Sequence, residues 1–281
     1  MPQIIDVHVH PPTHEYLEDA IGPWMEQLEQ FFHRPIPVLD EESFAAEYRA
    51  LGARAVVLAW DARTKTGRPN VTNDWVADLA RRYSDVFIPF ASVDPHRGED
   101  AIREAVRAVN ELGCRGFKFQ QAAMAFRPSD RTFDPLWNAI QSLGVPCLFH
   151  VGTTGMGAGM PGGGGIELDF VRPIYLDSVA ARFPELTIIA AHPAWPWTDE
   201  MIAIALHKPN VFIDLSGWAP KYWPLALKNE VGGRLRHKAM FGSDYPFLRP
   251  ERWFREFDEL GYSQEVRDLV LGENAAKLLG L

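Results

Sequence analysis

Eight short apolar runs recur along this 281-residue chain, and each is followed by residues at helical spacing. The runs are Ile4–Val9, Ala53–Trp60, Val86–Val93, Gly116–Phe119, Val145–Val151, Leu186–Ala191, Val211–Leu215 and Ala239–Gly242. They are apolar along their length and do not alternate, which is the pattern of parallel strands buried on both faces. Parallel neighbours need crossover connections, usually helices. Eight such units predict one α/β domain over 1–281, a distorted (β/α)8 or TIM barrel, a fold that runs to about 250 residues.

The intervening segments supply the helices. Asp74–Tyr83 sets Trp75, Val76, Leu79 and Ala80 on one face, and Glu99–Leu112 repeats the pattern until Gly113 stops it. Asp134–Leu143, Val171–Phe183 and Asp199–His207 follow the same form. After the eighth run, Glu251–Leu260, Ser263–Leu271 and Asn274–Leu279 are expected to wrap the barrel outside. No Gly-x-Gly-x-x-Gly directly follows an apolar run and opens a helix, so a dinucleotide fold has no support. Two segments depart from the repeat: the aromatic-rich Tyr16–Leu39 and the glycine-rich Gly152–Gly165, which is read as a lid or port.

A net charge of −9 with no basic run excludes nucleic acid as a partner. No apolar run is long enough to span a membrane, and the first residues carry no basic targeting region, so the cytoplasm is the expected compartment. Cys114 and Cys147 each open an apolar run and read as buried, reduced thiols.

In a barrel of this kind the chemistry sits at the C-terminal strand ends. The first run ends in His8 and His10, which share a face because they are two residues apart. The second ends in Trp60-Asp61, the fourth in Lys118 and Gln120, and the fifth and sixth in His150 and His192. The seventh ends in Asp214-Leu215-Ser216 and the eighth in Ser243-Asp244. Strands one and eight are neighbours in a closed barrel, so Asp244 can reach a divalent metal on His8 and His10, with His150 completing the shell from across the mouth. Lys118 and Gln120 are expected to meet an anionic substrate group, and Trp60 and Trp195 to form part of an aromatic wall.

With those residues in place, the chain resembles the amidohydrolase superfamily, and within it the amidohydrolase-related branch, "amidohydrolase 2". That branch includes aminocarboxymuconate-semialdehyde decarboxylase, γ-resorcylate decarboxylase and several C–C hydrolases. The matching stretches are Asp6-Val7-His8-Val9-His10, Arg115-Gly116-Phe117-Lys118, Ala190-Ala191-His192-Pro193, Phe241-Gly242-Ser243-Asp244-Tyr245-Pro246 and the Asn274–Leu279 tail. The resemblance implies one divalent ion, zinc first with manganese or iron as alternatives, on His8, His10, His150 and Asp244. It implies His192 and Asp244 as the acid/base groups. Some relatives carry a carbamylated lysine on the fourth strand, where Lys118 stands.

The chain departs from the decarboxylases in two respects. No arginine beside the first run is placed to clamp a substrate carboxylate, and Trp195-Pro196-Trp197 follows His192 in place of a glycine-rich turn. The leading expectation is therefore a hydrolase that cleaves a C–C, ester or amide bond next to a carbonyl in a catabolic intermediate. Non-oxidative decarboxylation of an aromatic or dienoic acid is the alternative, and a barrel that keeps its ligands only for structure comes third. A small-molecule substrate is the expected partner, and the aromatic loops make a homodimer the expected assembly.

Overall fold

A computed structural model describes residues 3–281. Eight strands form where the apolar runs lie: β1 (Ile4–Val9), β2 (Ala53–Leu58), β3 (Phe87–Phe90), β4 (Phe117–Phe119), β5 (Cys147–His150), β6 (Ile188–Ala191), β7 (Val211–Asp214) and β8 (Ala239–Met240). All pairings are parallel, in the orders β1-β2-β3 and β4 through β8. Single bridges join the two sheets into a barrel, Ala91 with Phe117 on one side and Val9 with Tyr245 on the other. Backbone hydrogen bonds seal both seams: Lys118 N–H donates to Ala91 O at 2.7 Å, and His10 N–H to Tyr245 O at 2.8 Å.

The strands are shorter than the apolar runs because the ladder ends where the loops begin. Trp60, for example, leaves β2 to bridge Val71 in the next loop. The helices Asp134–Leu143 and Asn274–Leu279 have the predicted bounds, and the others agree within a few residues except at Ser263–Leu271. That stretch is an α-helix over Gln264–Asp268 that widens to a π-turn over Leu269–Glu273. Among the further helices, Glu41–Leu51 is capped by Asp40, whose side chain accepts from Ser43 N–H at 2.7 Å, and ends at left-handed Gly52.

The β1 register slips between Asp6 and Val9, where the partner steps from Ala55 only to Val57. Ile5, ahead of this bulge, and Val7, within it, join a buried cluster with Val56, Leu58, Leu148 and Ile189. His8 lies within the bulge and His10 just beyond it, and such bulges commonly re-aim side chains beside a site. Both cysteines are free and buried; burial pushes Cys114 up to about 12 and Cys147 also well above the usual thiol range. Among the described residues no helix is long and apolar enough to cross a membrane.

Candidate active site

β1 and β8 together build the centre. Asp244 N–H donates to His8 O at 2.9 Å, which ties the loop after β8 to the end of β1. Asp244 Oδ1 then lies 3.4 Å from His8 Nε2 and 3.6 Å from His10 Nε2. Ligand atoms of these three residues all fall within 4.8 Å of one another, a spacing that one ion can bridge. Two imidazoles and one carboxylate on one face suit manganese, iron or zinc, and leave positions open.

The imidazoles are kept neutral, as metal ligands must be. Burial holds His8, His10 and His192 well below the usual histidine value and lowers His150 to about 3. The Lys118 charge adds to this on all four.

Tautomers follow from the partners. His8 Nδ1 lies 2.6 Å from Asp214 Oδ2, so it carries the proton and leaves the Nε2 lone pair for a cation. Lys118 Nζ is 2.9 Å from that same Nε2. One lone pair serves either the ammonium or a metal, so Lys118 must yield its contact when the ion binds. His10 stacks on Tyr16, with ring centroids 4.6 Å apart and planes 3° from parallel. Its buried Nδ1 has no hydrogen-bond partner among the described residues.

His192 is held in the left-handed region, at φ 71°, and Asp244 at φ 64°. A non-glycine residue pays a strain cost there, and such outliers cluster at functional sites. His192 Nδ1–H donates to Ser216 O at 3.1 Å and to Ser216 Oγ at 2.9 Å, while Ser216 Oγ–H donates to Asp214 Oδ2 at 2.9 Å. The Nε2 of His192 therefore carries a lone pair, which accepts from His150 Nδ1–H at 3.0 Å. His150 Nε2 lies 3.3 Å from Thr153 O, an acceptor ready for the other tautomer. His150 stands outside the three-residue set, and Nδ1 becomes a ligand atom only in that second tautomer.

These groups line a cavity of about 450 Å³. Its aromatic walls come from Tyr16, Phe31, Phe32, Trp60, Trp218 and Phe247. Burial pushes the Asp244 and Asp214 carboxyls up to about 7, against the lowering effect of the Lys118 charge. Burial likewise pulls Lys118 down to about 8, opposed by both carboxylates.

A family model described as amidohydrolase matches residues 5–281. The chain belongs to the amidohydrolase family. This is the branch that the strand-end motifs resemble. Over 160 residues, this amidohydrolase is 27% identical to γ-resorcylate decarboxylase from a Polaromonas species, covering 52% of this chain. The match takes in 49% of that relative, so it spans about half of its length. An uncharacterised TIM-barrel protein from Bordetella bronchiseptica superposes with a TM-score of 0.81 at 22% identity, covering 99% of this chain and 98% of that one. The 5-carboxyvanillate decarboxylase of Novosphingobium aromaticivorans, solved with bound manganese, gives 0.71 at 21% identity over 100% and 97% of the chains. Both likenesses show that the amidohydrolase has the TIM-barrel fold.

Of the residues singled out by sequence, His8, His10, His150, His192, Asp244, Lys118, Gln120 and Trp60 all line the cavity or sit among its ligands. Gln120 has its polar atoms committed: Oε1 accepts from Ala122 and Ala123 N–H, and Nε2 donates to Thr154 Oγ1 at 3.3 Å. Trp195 stands outside the wall, 51% exposed; its ring centroid lies 6.0 Å from that of Trp218, and its carbonyl accepts from Thr153 N–H at 2.8 Å. No arginine comes from beside the first strand; Arg34, Arg249 and Arg252 line the cavity from the inserted segment and the start of the helix Pro250–Asp258. Asp214 and Ser216 were legible only as a strand end; their contacts with His8 and His192 come from the barrel's closure.

Proposed function

We propose that this amidohydrolase is a divalent-metal-dependent, non-oxidative decarboxylase of an aromatic acid with a hydroxyl beside its carboxylate. The observation that carries the reading is the floor of the cavity, where a partly buried acid (Asp244) and a buried ammonium (Lys118) both abut His8 Nε2 beneath aromatic walls. Two relatives are named for aromatic decarboxylation. That support moves decarboxylation ahead of the hydrolysis favoured from sequence.

His8, His10 and Asp244 would hold the ion, with His150 joining through its second tautomer. When bound, a divalent ion would act as a Lewis acid toward the substrate's hydroxyl oxygen. The aromatic walls orient the ring, and Lys118 offers its charge to the carboxylate. His192 Nε2 has a lone pair and no proton, so it accepts the hydroxyl proton. Asp244, beside His8 Nε2 and His10 Nε2 and lining the same cavity, would carry a proton from solvent to the ring carbon bearing the carboxylate. The carbon–carbon bond then breaks, its electron pair restores the aromatic ring, and CO₂ leaves.

Isotopes separate the two chemistries. Metal-loaded enzyme in heavy water should release CO₂ from ortho-hydroxybenzoates and leave deuterium at the vacated ring carbon, and Asp244→Asn should abolish both. Failure to release CO₂ with manganese, zinc or iron, together with uptake of labelled water oxygen from an ester or β-ketone substrate, would restore the hydrolase reading.

A further inference from the structure

We infer that Tyr16 O–H and Trp60 Nε1–H form a two-donor subsite for one oxyanion, a carboxylate or phenolate oxygen of the acid bound in this cavity. The subsite deepens the decarboxylase reading and rests on it only in calling that acid the substrate.

Buried tyrosine and tryptophan tips usually find a hydrogen-bond partner. Among the described residues the buried members of both types do so, with two exceptions. Tyr48 OH donates to Asp6 Oδ2 at 2.9 Å, and Tyr245 OH to Glu47 Oε2 at 2.6 Å. The indole N–H groups of Trp137, Trp223 and Trp253 donate to the carbonyls of Pro128, Trp218 and Leu215 at 2.9, 3.1 and 3.2 Å. Tyr16 and Trp60, each 2% exposed, have no such acceptor among the described residues, and both line the cavity. Neither tip is sealed within the protein. The little surface that each residue keeps opens to the cavity, so two donors there stand uncommitted.

The two exceptions are neighbours. Their rings meet edge to face at 5.7 Å, and both flank His10, Tyr16 stacked on it at 4.6 Å and Trp60 edge-on at 6.0 Å. Burial and, after it, the Asp244 charge keep the Tyr16 hydroxyl protonated, so it is present as a donor. No hydrogen bond joins it to Asp244, whose Oδ1 lies beside the His8 and His10 imidazoles. An indole N–H can only donate, so an acceptor is what the pair lacks. A charged oxygen gains most from it, because charge-assisted hydrogen bonds are about twice as strong as neutral ones and the surrounding rings keep the dielectric low. The Lys118 ammonium lines the same cavity and favours an anion there, while the two neutral donors add direction.

The test is calorimetric binding of three probes to the manganese-loaded enzyme. Benzoate presents a carboxylate alone, pentafluorophenolate a phenolate alone, and toluene a ring with no oxygen. Tyr16→Phe, which keeps the ring on His10, should weaken at least one anion about tenfold and leave toluene unchanged. Loss on benzoate assigns the donors to the carboxylate; loss on pentafluorophenolate assigns them to the hydroxyl oxygen. Trp60→Phe should weaken the same anion, and the double variant should lose less than the product of the single losses, because the donors share one oxygen. Manganese affinity, read by chelator competition, should stay at the wild-type value in Tyr16→Phe. Four results would overturn the subsite: no binding of either anion to wild type, unchanged anion binding in Tyr16→Phe, an equal loss for toluene or for manganese, or losses that simply multiply. CO₂ release from an ortho-hydroxybenzoate is scored separately. Its absence beside a selective anion loss sinks the decarboxylase reading alone, and its presence beside unchanged anion binding sinks the subsite alone.

Discussion

Asp214 Oδ2 lies 2.6 Å from His8 Nδ1, a contact that spans 206 residues of sequence. It fixes the proton on Nδ1 and turns the Nε2 lone pair toward the ligand cluster. Removing such a partner typically weakens metal binding by about 10–100-fold. Asp214→Ala should therefore lower metal affinity by that order, and Asp214→Asn, which still offers an acceptor, should lie between it and wild type. Titration against a competing chelator measures this; an unchanged dissociation constant in Asp214→Ala would remove Asp214 from the metal centre.

Gly217 makes room for the acid/base pair. A Cβ there would stand 2.7 Å from His192 Nδ1 and 3.2 Å from Asp244 Oδ2, and its φ of +73° disfavours any side chain. Gly217→Ala should push the imidazole off its Ser216 anchor while the His8 and His10 ligands stay in place. Misplacement by about 1 Å can cost roughly 100-fold in rate. The expected outcome is a kcat reduced by about that factor with bound metal near wild type. Loss of the metal as well would show that the added methyl displaces the ligand Asp244 and not the imidazole alone.

The strand ends were legible because strands buried on both faces read as apolar runs, so a polar residue closing a run stands out. That logic located His8, His10, His150, His192 and Asp244. It missed what depends on loops docking from elsewhere. Arg34 lies 24 residues beyond His10, and only the packing of the inserted helix brings it to the wall. The Glu41–Leu51 helix had a readable start and stop, Asp40 and Gly52, but sat beside an irregular aromatic stretch that obscured its period. Trp195 erred the other way: an aromatic residue just after a site histidine looked like a wall, yet the chain carries it outward.

Asp6 opens the motif without facing the cavity. Its carboxyl accepts from Tyr48 OH at 2.9 Å, Ser243 N–H at 2.9 Å and His8 N–H at 3.2 Å, fully buried. Asp6→Ala would strand three donors and should cost on the order of 3–5 kcal/mol. Burial pushes the folded carboxyl up to about 7, while the unfolded one titrates in the ordinary range. A raised folded value means that the protonated form stabilises the fold below the unfolded pKa, and that this contribution is lost as pH rises through about 7. Asp6→Asn, which does not titrate, should therefore compare more favourably with wild type at pH 8 than at pH 4. Parallel stability–pH curves for the two proteins would refute the shift.

Gln27 clamps the glycine-rich loop to the inserted helix. Its Nε2 donates to Gly155 O at 2.9 Å, and its Oε1 accepts from Gly157 N–H at 3.1 Å. Gly155 and Met156 line the cavity, so this one side chain joins the two segments that depart from the β/α repeat. The loop beyond is tightly folded, since a Cβ on Gly157 would fall 2.0 Å from Gly163 O. Gln27→Ala should free the loop without touching His8, His10, His192 or Asp244. Amide exchange at Gly155 and Gly157 should accelerate, and KM should rise several-fold with kcat nearly unchanged, because the wall loosens while the proton-handling groups stay in place. A fall in kcat at constant KM would mean instead that the loop gates the chemical step, which is the behaviour of a lid that closes over bound substrate.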